Sequence, residues 1–312
     1  MSAALGSENA LTATPSRRVA HRVLGPALPY LLQLRPLEWP IVAAHTTLGW
    51  LLASGLRPLD RHGALGLGVW VVALNGGSLA LNSAFDRDNG DVAYLREPPP
   101  VPHGLAWFAG ALIFVGALLT WTMPLPYRIG YLLCALLSVL YSVPPFRLKG
   151  VGGVDWLINV LGFGIATPVA GWALSGRPFT GPITLVVWAF CPLFAALYPL
   201  TQLYQMDEDL AQGETTLVLR LGTRRSLAAA LLATGLAFGL LCGAAWQSGW
   251  RGGAEWPRWA ALGCALAAWL VVLWPWYRDG RRWSSAEHQR GMYHALAAWA
   301  LTDVAVFLGW VL

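Results

Sequence analysis

Nine apolar runs, at about residues 37–55, 64–85, 103–122, 126–145, 154–175, 180–206, 224–249, 257–277 and 290–312, leave this chain little room to fold as anything soluble. About 20 apolar residues in helical form cross the roughly 30 Å hydrocarbon core of a bilayer, and each run is close to that length. Composition agrees: 56% of the 312 residues are hydrophobic and only 12% charged, whereas soluble domains carry about 25% charged residues. The runs predict an all-α polytopic membrane protein, a bundle of about nine transmembrane helices over residues 29–312. The first 28 residues are polar and basic, and read as a cytoplasmic or interfacial N-terminal arm rather than a cleavable signal. Cys134, Cys191, Cys242 and Cys264 all fall within apolar runs without metal-ligand spacing. They read as small core residues.

Basic residues set the orientation. Fifteen of the 21 Lys and Arg lie in the N-terminal segment or in the loops after the second, fourth, sixth and eighth runs. By the positive-inside rule that side is cytoplasmic, with the N-terminus inside. The net charge of +5 follows from this sorting, and nothing in it points to nucleic acid.

Acidic residues are distributed less evenly than orientation requires. Asp86, Asp88, Asp91 and Glu97 follow the second run, and Asp207, Glu208, Asp209 and Glu214 follow the sixth. Half of the 16 carboxylates therefore occupy two loops on one face. Asn75, Ser78, Asn82 and Asp86 are spaced as one helical stripe, and Tyr198, Gln202, Gln205 and Asp209 repeat the pattern. In both, an amide (Asn82, Gln205) precedes a carboxylate (Asp86, Asp209) by four residues. Polar stripes in spans either bond to neighbouring helices or face a polar pocket. Two acidic clusters on one face repel unless cations lie between them. Hard oxygen ligands suit Mg²⁺, which keeps waters and is completed by substrate phosphates; Ca²⁺ binding or simple solvated charge are the alternatives.

A third stretch on the same face, YSVPPFRLKG (Tyr141 to Gly150), carries Arg147 and Lys149, the chain's only lysine. A lone lysine among arginines fits a point-charge contact to phosphate or a chance surface position. Asp155 and Asn159 then open the fifth run on one face. Deep in the spans, His45 and Asp303 are the evident ionisable groups, and neither has a partner visible in the sequence.

Together, NSAFDRD, YSVPPFRLKG and TQLYQMDEDLAQGETTLVLRLG, with LRPLEWP before the first span, resemble the UbiA superfamily of intramembrane prenyltransferases. The resemblance covers about residues 30–310. It implies a Mg²⁺-dependent enzyme that ionises an isoprenyl diphosphate and passes the prenyl group to an aromatic or lipophilic acceptor inside the membrane, with the active site facing the cytoplasm and lipids around it. It implies metal ligation by Asn82, Asp86, Asp88 or Asp91, Gln205 and Asp209. Tyr141, Arg147 and Lys149 fall in the segment that contacts diphosphate in relatives, and Arg35 and Arg220 are further basic partners. Asp86, Asp209, Lys149 and Tyr141 are the residues expected to carry catalysis. Two departures stand out. Ser83 and Gly90 replace carboxylates usual in the first motif, and Gln205 replaces the aspartate that usually opens the second. They leave open a membrane terpene cyclase, in which the substrate's own double bonds capture the cation.

Overall fold

The computed structural model describes residues 14–86, 95, 98–179, 181–211 and 213–312. It is 81% helical and has no strands among these residues. Every predicted run is a helix. We label them with the shorter elements in chain order: α1 Pro15–Leu24, α2 Leu28–Gln33, α3 Trp39–Ser54, α4 Arg61–Phe85, α5 Leu105–Thr122, α6 Leu125–Ser142, α7 Val154–Leu174, α8 Ile183–Gln202, α9 Met206–Ala211, α10 Leu217–Leu221, α11 Thr223–Gln247, α12 Gly253–Arg282 and α13 Ser285–Trp310. Eight of these are long and apolar enough to span a bilayer. The remaining predicted span, α3, has 16 residues, about 24 Å of helix, and falls short of that length. The protein is an integral multi-pass membrane protein.

Two compact units divide the chain, one comprising residues 1–44 and 64–147, the other residues 45–63 and 148–312. In the first unit, α4 packs against α5 and α6. A π-helical stretch, Val69–Gly76, sits within α4 and buries Trp70, Leu74 and Asn75. Regular α spacing resumes at Gly77 and runs to Phe85, so the polar stripe is α-helical only from Ser78 onward. The outer faces of α5 and α6 expose Trp107, Phe114, Leu118, Leu132 and Leu136. Such a surface is untenable in water and natural against lipid. At the start of the unit, Thr14 caps α1 by accepting from Arg17 N, and α1 carries Arg17, Arg18, His21 and Arg22.

In the second unit, α8 and α11 pack along much of their lengths around Phe190, Leu193, Leu200, Leu227 and Leu241. Helices α3 and α7 approach so closely that a Cβ on Gly49 would lie 1.9 Å from the Pro168 carbonyl oxygen. One on Gly171 would lie 1.7 Å from that of Thr46. Small residues are what permit such contact between spans. His45 and Asp303, separated by 258 positions in sequence, bond to each other at 3.1 Å against Phe190 and Trp299. The cysteines depart from expectation. All four are free, and Cys242 and Cys264 are exposed rather than in the core. A small apolar side chain loses nothing by facing hydrocarbon, so confinement to an apolar run does not imply burial.

Candidate active site

The first acidic end belongs to the first unit. Asn82 and Asp86 end α4, and the Asp86 N–H donates to the Asn82 carbonyl at 2.9 Å before the chain turns extended (φ −83°, ψ 151°). The Asn82 side-chain oxygen accepts from Ser142 Oγ at 3.3 Å, fixing the amide from α6. The Asp86 carboxylate is only 4% exposed and lies 3.6 Å from Arg147 Nη2. Arg35 Nη2 reaches Ser83 Oγ at 3.5 Å, and Arg35 Nη1 stands 3.8 Å from Glu38. Tyr141 is half-buried in the last turn of α6.

Among the described residues, Arg35 (φ 51°) and Arg147 (φ 36°) are the non-glycine positions with positive φ. A left-handed backbone at such residues costs on the order of 1–3 kcal/mol and persists where the surroundings over-determine it. Both strained residues put a guanidinium beside the last turn of α4. Ser83, which departs from the usual first motif, is the residue that receives Arg35. Asp88 and Asp91 lie outside the described residues.

The second acidic end belongs to the second unit, and its architecture differs from a continuous polar stripe. Helix α8 stops at Gln202, residues 203–205 form a turn, and α9 begins at Met206. Hydropathy runs through Leu203 and Tyr204, which is why the sequence predicts a longer span. Pro199 prepares the break: it has no N–H for the Ala195 carbonyl, and Trp156 Nε1 bonds that oxygen instead at 3.2 Å. Gln202 is buried and donates to Asp155 at 2.7 Å. Asp155 has no solvent exposure and also accepts from the Gly153 N–H at 2.7 Å. Gln205 and Asp209 keep the four-residue relation, with the Asp209 N–H on the Gln205 carbonyl at 2.9 Å.

The chain then folds back on the segment carrying Lys149. Glu214 N–H bonds the Asp209 carbonyl at 2.9 Å, and the Glu214 carboxylate holds buried Lys149 at 3.3 Å. Thr215 Oγ1 donates to the Gly150 carbonyl at 2.7 Å, and Thr215 forms a parallel bridge with Val151. Lys149 is thus a buried, paired cation rather than a surface lysine. Arg220 is exposed on α10. Ser142 lies within the YSVPPFRLKG stretch and Gln202 within the polar stripe, but their bonds to Asn82 and Asp155 are not visible in the sequence, because each depends on which helices become neighbours.

At each acidic helix end a carboxylate lies 3.3–3.6 Å from a cation, Asp86 from Arg147 at the first and Glu214 from Lys149 at the second. Within each end taken by itself, Asn82 with Asp86 and Gln205 with Asp209 carry hard oxygen atoms of the kind Mg²⁺ takes. Among the described residues no three His, Cys, Asp or Glu side chains gather as a closed metal cage.

Comparison with known proteins decides the family, since the model of the UbiA prenyltransferase family matches residues 39–297. The chain belongs to that family. It is a UbiA-type prenyltransferase. A digeranylgeranylglyceryl phosphate synthase from Natronomonas pharaonis is 28% identical over 201 residues, covering 63% of this chain and 70% of that protein. Among solved structures, a UbiA homologue from Archaeoglobus fulgidus bound to GPP and Mg²⁺ aligns over 91% of this chain and 100% of its own, with TM-score 0.65 and 17% identity. The structure of a digeranylgeranylglyceryl phosphate synthase aligns over 91% and 98%, with TM-score 0.66 and 14% identity. At those identities the structural likeness establishes the fold alone.

Proposed function

We propose that this UbiA family member transfers an isoprenyl group from an isoprenyl diphosphate to an aromatic or lipophilic acceptor within the membrane, in a Mg²⁺-dependent reaction on the cytoplasmic side. The observation that carries this reading is the Asp86 carboxylate, buried at the end of an apolar span beside Arg147. A chain has little reason to bury an acid and strain an arginine beside it unless a charged ligand is handled there.

In this reading Asn82, Asp86, Gln205 and Asp209 hold the metal, with Asp88 or Asp91 completing the first motif. When bound, Mg²⁺ neutralises the diphosphate and stabilises its departure. Arg35, Arg147, Lys149 and Arg220 supply fixed positive charge toward the leaving oxygens, where a water-poor site strengthens each contact. Tyr141 donates a hydrogen bond to the same group. The allylic cation left behind needs apolar π faces, and the second unit contains such rings in Phe163, Tyr198 and Trp299, each packed on Phe194. Exclusion of water by these walls keeps the cation for the acceptor. The name of the Natronomonas relative adds a prenylated glyceryl phosphate to the acceptor classes worth testing beside aromatic rings.

The cyclase alternative rests on the altered motifs, Ser83 and Gln205 among them. Purified protein is incubated with Mg²⁺ and geranyl, farnesyl or geranylgeranyl diphosphate, with and without aromatic and lipid acceptors. Prenylated acceptor is the expected product. A cyclised hydrocarbon formed without acceptor would establish the cyclase instead.

A further inference from the structure

A basic cleft of about 450 Å³ lies wholly within the second unit, lined by Leu221, Gly222, Thr223, Arg224, Arg225 and Arg281. It opens where α11 begins. Gly222 precedes this 25-residue helix and provides no side-chain cap, so the first-turn amides, which have no intrahelical acceptor, lie at the cleft. Their partial positive charge adds to that of the arginines.

The third arginine comes from the end of α12, and packing explains its place. A Cβ on Gly280 would lie 2.7 Å from Trp276 Cδ1 and 3.2 Å from Leu227 Cδ1 of α11. Glycine therefore lets the turn sit directly on α11. Trp276 is itself fixed by its bond to His288 Nδ1 at 2.8 Å and by stacking on Trp283. Arg224 lies over the Tyr277 ring at 5.5 Å, which orients its guanidinium.

Two carboxylates near in sequence to Arg281 are committed elsewhere. Asp279 pairs with Arg278 at 3.0 Å, and Glu287 accepts from Ser284 N and Oγ at 2.7 and 2.8 Å in the cap of α13. Among the described residues no ion pair neutralises Arg224, Arg225 or Arg281. Positive-inside sorting accounts for arginines at this end of the spans. It does not account for their convergence on one cleft at an uncapped helix start.

We propose that this cleft binds a phosphate group, carried by the headgroup of an anionic membrane lipid. Guanidinium forks match phosphate oxygens bidentately, and a helix start adds backbone donors. The lipid source follows from depth: the cleft lies where two spans, α11 and α12, end, which is the level of the bilayer's own phosphates. None of its lining residues is among those assigned above to the isoprenyl diphosphate, although Arg220 directly precedes Leu221, and the site stands whether or not that assignment holds.

The test uses the full-length protein in detergent, titrated with dioctanoyl phosphatidic acid, dioctanoyl phosphatidylcholine and inorganic phosphate, with binding read by native mass spectrometry. Phosphatidic acid should bind more tightly than phosphatidylcholine, and the Arg225→Gln/Arg281→Gln variant should weaken it by about tenfold or more. Inorganic phosphate should compete only at far higher concentration. Competition at concentrations equal to those of the lipid would overturn the lipid source, and unchanged phosphatidic acid affinity in the variant would overturn the site. A second measurement needs no variant. Phosphatidic acid should protect Arg225 and Arg281 of the wild-type protein from phenylglyoxal, mapped by peptide mass spectrometry, and equal modification with and without lipid would refute the proposal.

Discussion

The two acidic ends share one local device and differ in everything around it. At each, an amide precedes a carboxylate by four residues, and the carboxylate's own N–H closes on the amide residue's carbonyl at 2.9 Å. At the first end a long helix simply stops, its carboxylate is buried, and a cation, Arg147, stands 3.6 Å from that carboxylate. At the second end the span breaks three residues early, Asp209 rides on a separate six-residue helix, and the cation Lys149 is held by a different acid, Glu214. Spacing thus sets the amide–carboxylate pair at each end, whereas charge compensation is arranged independently. One arginine is strained into place; one lysine is stored against a partner.

That contrast can be broken by mutation. The largest effect is expected from the carboxylates, with Asp86→Asn and Asp209→Asn each lowering diphosphate release by about 10²–10³-fold at saturating Mg²⁺. A loss at only one of them would end the equivalence of the two devices. Next come the cations. Arg147→Ala and Lys149→Ala should each raise the KM for isoprenyl diphosphate by about 10–100-fold, with Lys149→Arg rescuing only part because its planar fork does not reproduce a compact ammonium. Full rescue would show that Lys149 serves as general positive charge alone.

Supports of the two ends should also respond unequally. Gln202→Leu removes a donor from an acid with no solvent exposure and should cost about 2–4 kcal/mol of stability, read as a lowered Tm in detergent. Ser142→Ala removes a longer bond between neutral groups and should cost about 1 kcal/mol. Equal shifts would mean that the two ends are anchored alike. The smallest effect is assigned to Glu214→Gln, which releases Lys149 and should lower the KM by about threefold, or about 0.7 kcal/mol. A raised KM would instead make Glu214 the group that positions the lysine.

How far the sequence reached depends on the range of the interaction. Spans were legible because burial in hydrocarbon acts on every residue of a run, and predicted ends fall within about five residues of those of α4 to α8 and α11 to α13. The π-helical stretches Val69–Gly76 and Val160–Ala166 were not, since a widened turn leaves the apolar pattern intact. The break after Gln202 was hidden by the apolar Leu203, with Pro199 as its only trace. Motif spacing marked Asn82, Asp86 and Asp209, but no local signal pairs Lys149 with Glu214, 65 residues on, or His45 with Asp303. Those bonds depend on which helices become neighbours. The strained backbones of Arg35 and Arg147 were equally invisible, because arginine carries no preference for positive φ that a reader could detect.

The central claim is that Asp86 and Asp209 act on one diphosphate, and a double-mutant cycle tests it most directly. Diphosphate release from geranylgeranyl diphosphate would be measured for the wild-type protein, Asp86→Ala, Asp209→Ala and the combined variant at saturating Mg²⁺. The account predicts that either single substitution removes nearly all turnover and that the double variant is no worse, since groups acting as a unit are non-additive. Turnover retained in either single variant, or losses that multiply in the double, would contradict it.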